Sequence, residues 1–241
     1  MKRKLLFLAM LLLITGSVKA GRTYVLVAGV SNYQNESVDL PTTTNDAKRI
    51  AKVMQRHSKD VSLITSRYAT REKLLSQLQE MARQAGSEDR IIFYFSGHGV
   101  EGGIIPFDLT PVLYTEIVDI LAESKAKIKM VFVDACRSGS ATTVGSDSKW
   151  RDKLSKGNIV FMLASRADEI STADNFLRAG WFSQAFLKGV EGRADADSNL
   201  NITVIELFTY VYNDVVKRSK NSQHPQLIAT KEHQNDVVVS W

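Results

Sequence analysis

The chain has 241 residues, enough for one sizeable domain and short for two. Apolar side chains make up 44% and charged ones 24%, with 14 Gly and 4 Pro, a balance that excludes a disordered or collagen-like chain. The formal net charge of +5 points to a polyanion partner only until the charges are located. Lys2, Arg3, Lys4 and Lys19 fall in the first twenty residues, which hold no acid; beyond them, 27 of the 31 basic residues face 26 acidic ones. The basicity belongs to this leader, and nucleic acid is not expected as a partner.

Residues 1–20 combine that basic start with an apolar run over 5–14 and the modest residues Val18, Lys19 and Ala20 before Gly21. This is the three-part layout of a secretory signal peptide. The run is about ten residues, half of what a spanning helix needs. The expectation is export to a periplasm or beyond, cleavage after Ala20, no stable membrane insertion, and a domain over 21–241. Exported proteins commonly pair their cysteines. Here there is one, Cys136, so no intrachain bridge is open to it. Alone, it would read as a small buried hydrophobe.

Residues 24–30 are expected as a strand and 46–57 as a helix, with Ala47, Ile50, Ala51, Val53 and Met54 at helical spacing. A second strand follows over 61–65, then a helix over 71–85 with Leu74, Leu75, Leu78 and Met81 on one face. The continuous apolar runs 91–95 and 130–133 read as strands buried on both faces of a parallel sheet, with 112–122 as the crossover helix between them. A further buried strand is expected over 159–164, helices near 182–190 and 204–217, and late edge strands over 227–230 and 237–240. The polar stretch 137–158 reads as an exposed loop. This alternation implies one α/β domain, a mostly parallel central sheet with helices on both faces.

Two of the buried strands end in unusual residues. The first runs into Ser96, Gly97, His98 and Gly99, the second into Asp134, Ala135, Cys136, Arg137, Ser138 and Gly139. If the strands are parallel neighbours, both carboxyl ends open on one edge of the sheet, where open α/β sheets bind ligands. A thiolate nucleophile needs an imidazole beside it to take its proton and return one to a leaving group. Either residue alone reads more cheaply as structural; together, at the ends of consecutive strands, they point to nucleophilic catalysis.

These two signatures resemble those of the caspase-like cysteine peptidases, the caspase, metacaspase and paracaspase group. Weaker similarities extend along the chain: residues 24–33 to the first family strand, 44–47 to the start of its first helix, and 164–169 to the loop after the strand that follows the cysteine. Residues 181–183 and 223–225 are similar to bacterial members. His98 precedes Cys136 by 38 residues, against about 50 in caspases, so the segment between them is trimmed. The resemblance implies a three-layer caspase-like sandwich and a cysteine endopeptidase without a cofactor. It further implies Cys136 as nucleophile, His98 as general acid–base, and the backbone N–H groups of Gly99 and Cys136 as oxyanion hole. Asp134, Asp46 and Ser96 match positions that line a pocket for a basic substrate side chain, as in metacaspases. The bland alternatives are a strand-end Asp bonding the next turn and an Asp near a helix start. Basic residues at 149, 151, 153 and 156 would then be sites of self-cleavage.

Other signals carry less. Gly97, Gly99 and Gly102 satisfy a dinucleotide-binding spacing, but Ile104, Ile105 and Pro106 do not open the helix it requires. Asp195, Asp197, Asn199, Asn201, Thr203 and Glu206 follow the spacing of a calcium loop, yet Leu200 stands where Gly is needed. Thr203 and Glu206 also make a capping box, so no metal site is expected. His57, His224 and His233 lack ligand spacing. The expected function is hydrolysis of peptide bonds after Arg or Lys. The alternatives are a caspase-like binding or regulatory module with weak turnover, and acyl transfer on a non-peptide substrate.

Overall fold

The computed structural model describes residues 21–135, 148–166, 173–174 and 179–241. The leader expected over 1–20 and the segment 136–147 lie outside them. Along the chain run β1 (Thr23–Gly29), α1 (Thr43–Met54), β2 (Asp60–Thr65), α2 (Arg71–Gln84) and β3 (Arg90–Ser96). Next come β4 (His98–Val100), β5 (Gly103–Ile105), β6 (Val112–Leu113), α3 (Tyr114–Ala122) and β7 (Ile128–Asp134). The second half holds α4 (Ser148–Lys156), β8 (Ile159–Leu163), β9 (Ala173–Asp174), β10 (Ala179–Gly180) and α5 (Trp181–Lys188). It closes with β11 (Asn201–Thr203), α6 (Val204–Arg218), β12 (Gln226–Ile228) and β13 (Val237–Ser240).

Six strands form the central sheet in the order β12-β8-β7-β3-β1-β2. All neighbours are parallel except β12, which closes the β8 edge antiparallel. The side-chain alternation of a strand divides its residues between two cores. Leu26, Phe93, Phe95 and Val131 face α2 and α3, where Leu74, Leu78 and Ile117 meet them. Val27, Ile92, Met130 and Phe132 face α1, α5 and α6, against Ile50, Phe186 and Leu207. Both sheet faces are covered, which is why these strands read as unbroken apolar runs in the sequence. The arrangement is the expected three-layer α/β sandwich.

Several boundaries differ from the sequence expectation. The first helix starts three residues earlier and ends at Met54. The segment expected as one helix over 112–122 is divided, because Val112 and Leu113 pair with β5 before α3 begins. The strand 237–240 does not edge the main sheet; β13 pairs with β11 in a small sheet of its own. The loop expected over 137–158 is helical from Ser148 to Lys156. In α4 Leu154 is buried, and Lys153 and Lys156 pair with Asp119 and Asp152. Trp150 and Leu154 are the apolar residues of this helix, too few to set a period. Residues 149, 151, 153 and 156 thus sit in a helix, without the extended backbone of the loop tips where proteolytic nicking concentrates.

Gly29 marks where α1 crosses closest to the sheet. A Cβ placed there would come within 2.5 Å of the Ala47 Cβ and 2.6 Å of the Thr43 carbonyl oxygen. Replacement by Ala must therefore push the start of α1 off the end of β1. Gly29→Ala is expected to lower stability by about 1–3 kcal/mol, read as an earlier urea midpoint at unchanged slope.

Candidate active site

β3 and β7 pair in parallel over seven residues, from Arg90 opposite Ile128 to Ser96 opposite Asp134. Both chains leave the sheet at the same level of its carboxyl edge. The Gly97 N–H donates to the Asp134 carbonyl at 3.1 Å, and β4 then turns away with His98. Gly97 is needed for this turn, since a Cβ would sit 2.8 Å from the Tyr33 hydroxyl and 2.8 Å from the Phe95 ring. After Asp134 and Ala135 the chain reaches Cys136, which lies outside the described residues. The segment after Gly97 is strand, and β4, β5 and β6 form a three-stranded antiparallel sheet. The glycine spacing there therefore does not belong to a dinucleotide-binding helix.

His98 is held from three directions. Its backbone N–H donates to the Tyr33 hydroxyl at 2.7 Å, and its ring lies 4.9 Å from the Tyr33 ring, centroid to centroid. Its Nε2 is 2.7 Å from the carbonyl oxygen of Val38. A carbonyl only accepts, so Nε2 carries the hydrogen and the basic lone pair of the neutral ring is on Nδ1. The loop that supplies Tyr33 and Val38 is organised by Asp39, whose carboxylate accepts the Tyr33 N–H at 2.7 Å and the Asn32 side-chain amide at 3.1 Å. Leu40 N–H closes it onto the Ser31 carbonyl at 2.7 Å. The sequence reading missed Tyr33, Val38 and Asp39. It placed the first strand over 24–30, close to the observed β1, and gave the residues beyond it no role. The Asn32–Tyr33 pair beyond an apolar strand was the available sign of a loop at the carboxyl edge.

On the opposite sheet face, Ser96 and Asp134 are register partners whose side chains turn toward α1 and α5. Asp46, in the first turn of α1, comes to the same place. All three are buried. The Gly180 N–H donates to Asp46 at 3.0 Å. Asp134 accepts the Ser183 N–H at 3.1 Å and the Ser183 hydroxyl at 2.5 Å, both on Oδ2. Gly180 is the N-cap of α5 and has no side chain to cap it. The Asp134 carboxylate supplies the missing cap from another strand. Glycine is required there, because a Cβ would come 2.5 Å from Asp134 Oδ2. The Ser96 hydroxyl is buried with no hydrogen bond of normal geometry among the described residues.

The structure thus brings together Asp46, Ser96 and Asp134, as expected, and places His98 at the same edge on the other side of β3. Gly99 lies in β4, paired with Ile104. The second donor expected for an oxyanion hole, Cys136, lies outside the described residues. Burial drives the Asp46 carboxyl up to about 7, with the nearby Asp134 charge adding to the effect and the Gly180 N–H and Arg49 opposing it. Two buried carboxylates at one point repel, and one of them keeps a proton more readily.

The remote candidates have hydrogen-bond partners within the fold. Asp195, Asp197 and Glu206 do converge. Asp195 and Asp197 accept N–H groups of their own turn, and Glu206 makes the capping box with Thr203. His233 lies between Asp236 and Asn158, His57 bonds the Ser240 carbonyl and His224 bonds Asn221. Among the described residues, no helix is long and apolar enough to cross a membrane.

The family model for the caspase domain matches residues 22–235. The chain belongs to the caspase-domain family of peptidases. A probable protease from a Desulfuromonadales bacterium is 25% identical over 181 residues, which is 62% of this chain and 22% of the relative. The chain therefore spans about a fifth of that curated relative. Caspase-1 from Spodoptera frugiperda has a similar fold, with a TM-score of 0.67 at 17% identity over 87% of each chain. A Geobacter sulfurreducens protein also has a TM-score of 0.67, at 15% identity over 89% of this chain and 97% of that one. The caspase fold thus agrees with the resemblance carried by the two strand-end signatures.

The raised Asp46 carboxyl has a measurable consequence. The folded state holds this proton up to about pH 7, whereas the ordinary value is 3.8. Between those limits the native chain binds more protons than the unfolded one, so this group's contribution to stability falls as pH rises from about 4 to about 7. Asp46→Asn removes the titration. Thermal unfolding at a series of pH values is expected to show a flatter fall in Tm between pH 5 and 8 for the variant.

Proposed function

We propose that the chain is a cysteine endopeptidase that cleaves after Arg or Lys with Cys136 as nucleophile and His98 as general base and acid. The observation that carries the reading is the His98 hydrogen bond to Val38, which leaves Nδ1 basic at the strand edge where the chain runs into Cys136. Nδ1 takes the thiol proton, and the thiolate sulfur bonds to the scissile carbonyl carbon while the carbonyl pair moves onto oxygen. The Gly99 and Cys136 N–H groups steady that oxyanion. The tetrahedral adduct collapses as the C–N bond breaks, and the imidazolium returns its proton to the departing amine. Water, deprotonated by the same nitrogen, then releases the acyl group and regenerates the thiol.

The specificity reading is supported by three buried acceptors meeting at one place. Asp46, Asp134 and Ser96 offer two carboxyl groups and a hydroxyl without a partner of normal geometry, matching a guanidinium or ammonium. Arg is expected above Lys, because its planar fork suits a carboxylate in two parallel bonds. An acidic side chain would bring like charges together out of water. The leader-like residues 1–20 support action after export.

Cys136→Ala and His98→Ala are each expected to remove nearly all turnover, since neither has a substitute in the scheme. Retained peptide cleavage in Cys136→Ala would overturn the assignment, and absent turnover in the wild type would favour a binding module. On matched peptides with Arg, Lys, Leu or Asp before the cut, kcat/KM should fall in that order, and Asp134→Asn should erase the order. A separate check addresses the His98 support. Asp39→Ala, which frees the loop holding Val38 and Tyr33, should lower kcat by roughly tenfold while leaving KM little changed.

A further inference from the structure

Behind the paired carboxylates lies a line of hydroxyls that the peptidase scheme does not use. Tyr94 is fully buried in the middle of β3, two residues before Ser96, on the face toward α5. Its hydroxyl is 2.6 Å from the Ser183 hydroxyl, and Ser183 Oγ in turn is 2.5 Å from Asp134 Oδ2. Polarity fixes the direction. An ionised carboxylate only accepts, so the single Ser183 hydroxyl hydrogen goes to Asp134. The Tyr94 phenol must then be the donor to Ser183. Burial and the neighbouring Asp134 and Asp46 charges push this phenol well up, so it stays protonated and able to donate.

We infer that Tyr94 and Ser183 are positioning residues of the specificity site, a donor chain that keeps the charge on Asp134 and leaves Asp46 as the partner that holds the proton. This deepens the proposed Arg or Lys specificity and rests on it. The two carboxyl groups have unequal surroundings. Asp134 receives the Ser183 N–H and a Ser183 hydroxyl backed by Tyr94, whereas Asp46 receives the Gly180 N–H and a weaker bond from the Thr42 hydroxyl, with the Arg49 charge nearby. Unequal donors separate two otherwise equivalent acids, and hydrogen bonds in series strengthen one another. Among the described residues, the charged groups and hydroxyls near Asp134 include Asp46 from α1, Tyr94 and Ser96 from β3, and Ser183 from α5. A substrate cation would therefore meet one fixed negative charge, with Asp46 ionising as the cation arrives.

The test uses the active chain with Arg and Leu peptides across pH 5–9, comparing wild type with Tyr94→Phe, Ser183→Ala and Ser183→Thr. Ser183→Ala is expected to lower kcat/KM for the Arg peptide roughly tenfold, mainly through KM. The acid limb of that profile should move up by about one pH unit. Tyr94→Phe, which keeps the ring, should do the same to a smaller extent, and Ser183→Thr should restore the wild-type limb. Leu-peptide cleavage and the rate of Cys136 alkylation by iodoacetamide should not change. An Arg/Leu ratio and acid limb that stay at wild-type values in both Ser183→Ala and Tyr94→Phe overturn the donor chain. So does an equal loss on Arg and Leu peptides with an unmoved limb, the mark of a purely structural role. A wild type that cleaves Leu peptides as well as Arg peptides instead overturns the specificity reading itself.

Discussion

The parallel register of β3 against β7 is the constraint on which the candidate site depends. Seven residue pairs align, and the last of them sets Ser96 beside Asp134 at the carboxyl edge. A slip of one residue would turn both side chains to the other face, away from α1 and α5. It would also break the Gly97 bond to the Asp134 carbonyl that aims β4, and with it the placement of His98. The register is secured by the apolar side chains on both faces of the two strands, which have no tolerance for the wrong side. The geometry of the candidate site is a consequence of core packing.

Around that edge, the two sides of the sheet do different electrical tasks. On the α2 and α3 side, a carbonyl and a phenol orient the His98 imidazole. On the α1 and α5 side, two carboxyl groups are enclosed and answered by the N-terminus of α5. The positive end of a helix dipole favours negative charge. Asp134 thus serves α5 as a cap and is itself held by it. The strand-end bonding role and the substrate-binding role considered for this residue are compatible, because a carboxylate has lone pairs for both.

Much of this was legible in the sequence. Apolar runs near residues 91 and 130 announced buried parallel strands, and the residues at their ends announced the site. What the sequence hid was of two kinds. Short elements such as β4–β6 and α4 have too few apolar positions to show a period; α4 offers Trp150 and Leu154. The second kind is backbone chemistry. The Val38 carbonyl acts through no side chain, so no residue type marks it, and Tyr33 matters through a contact 65 residues away. Ser183 likewise reads as an ordinary helix residue until the fold carries it against Asp134. Asp46 was legible as a candidate but not as a group with a raised pKa, since that property comes from burial.

The sheet order has a kinetic side. β1 lies between β2 and β3, and β3 between β1 and β7, so each pairing that builds the edge closes a long stretch of chain. Such contacts are entropically expensive to form and come late relative to local helices. Asp46, His98 and Asp134 belong to three separate strand–loop or helix junctions, and no short fragment contains them all. A partly folded chain therefore has neither the carboxyl pair assembled nor the imidazole oriented. The arrangement at this edge arrives only with completion of the sheet.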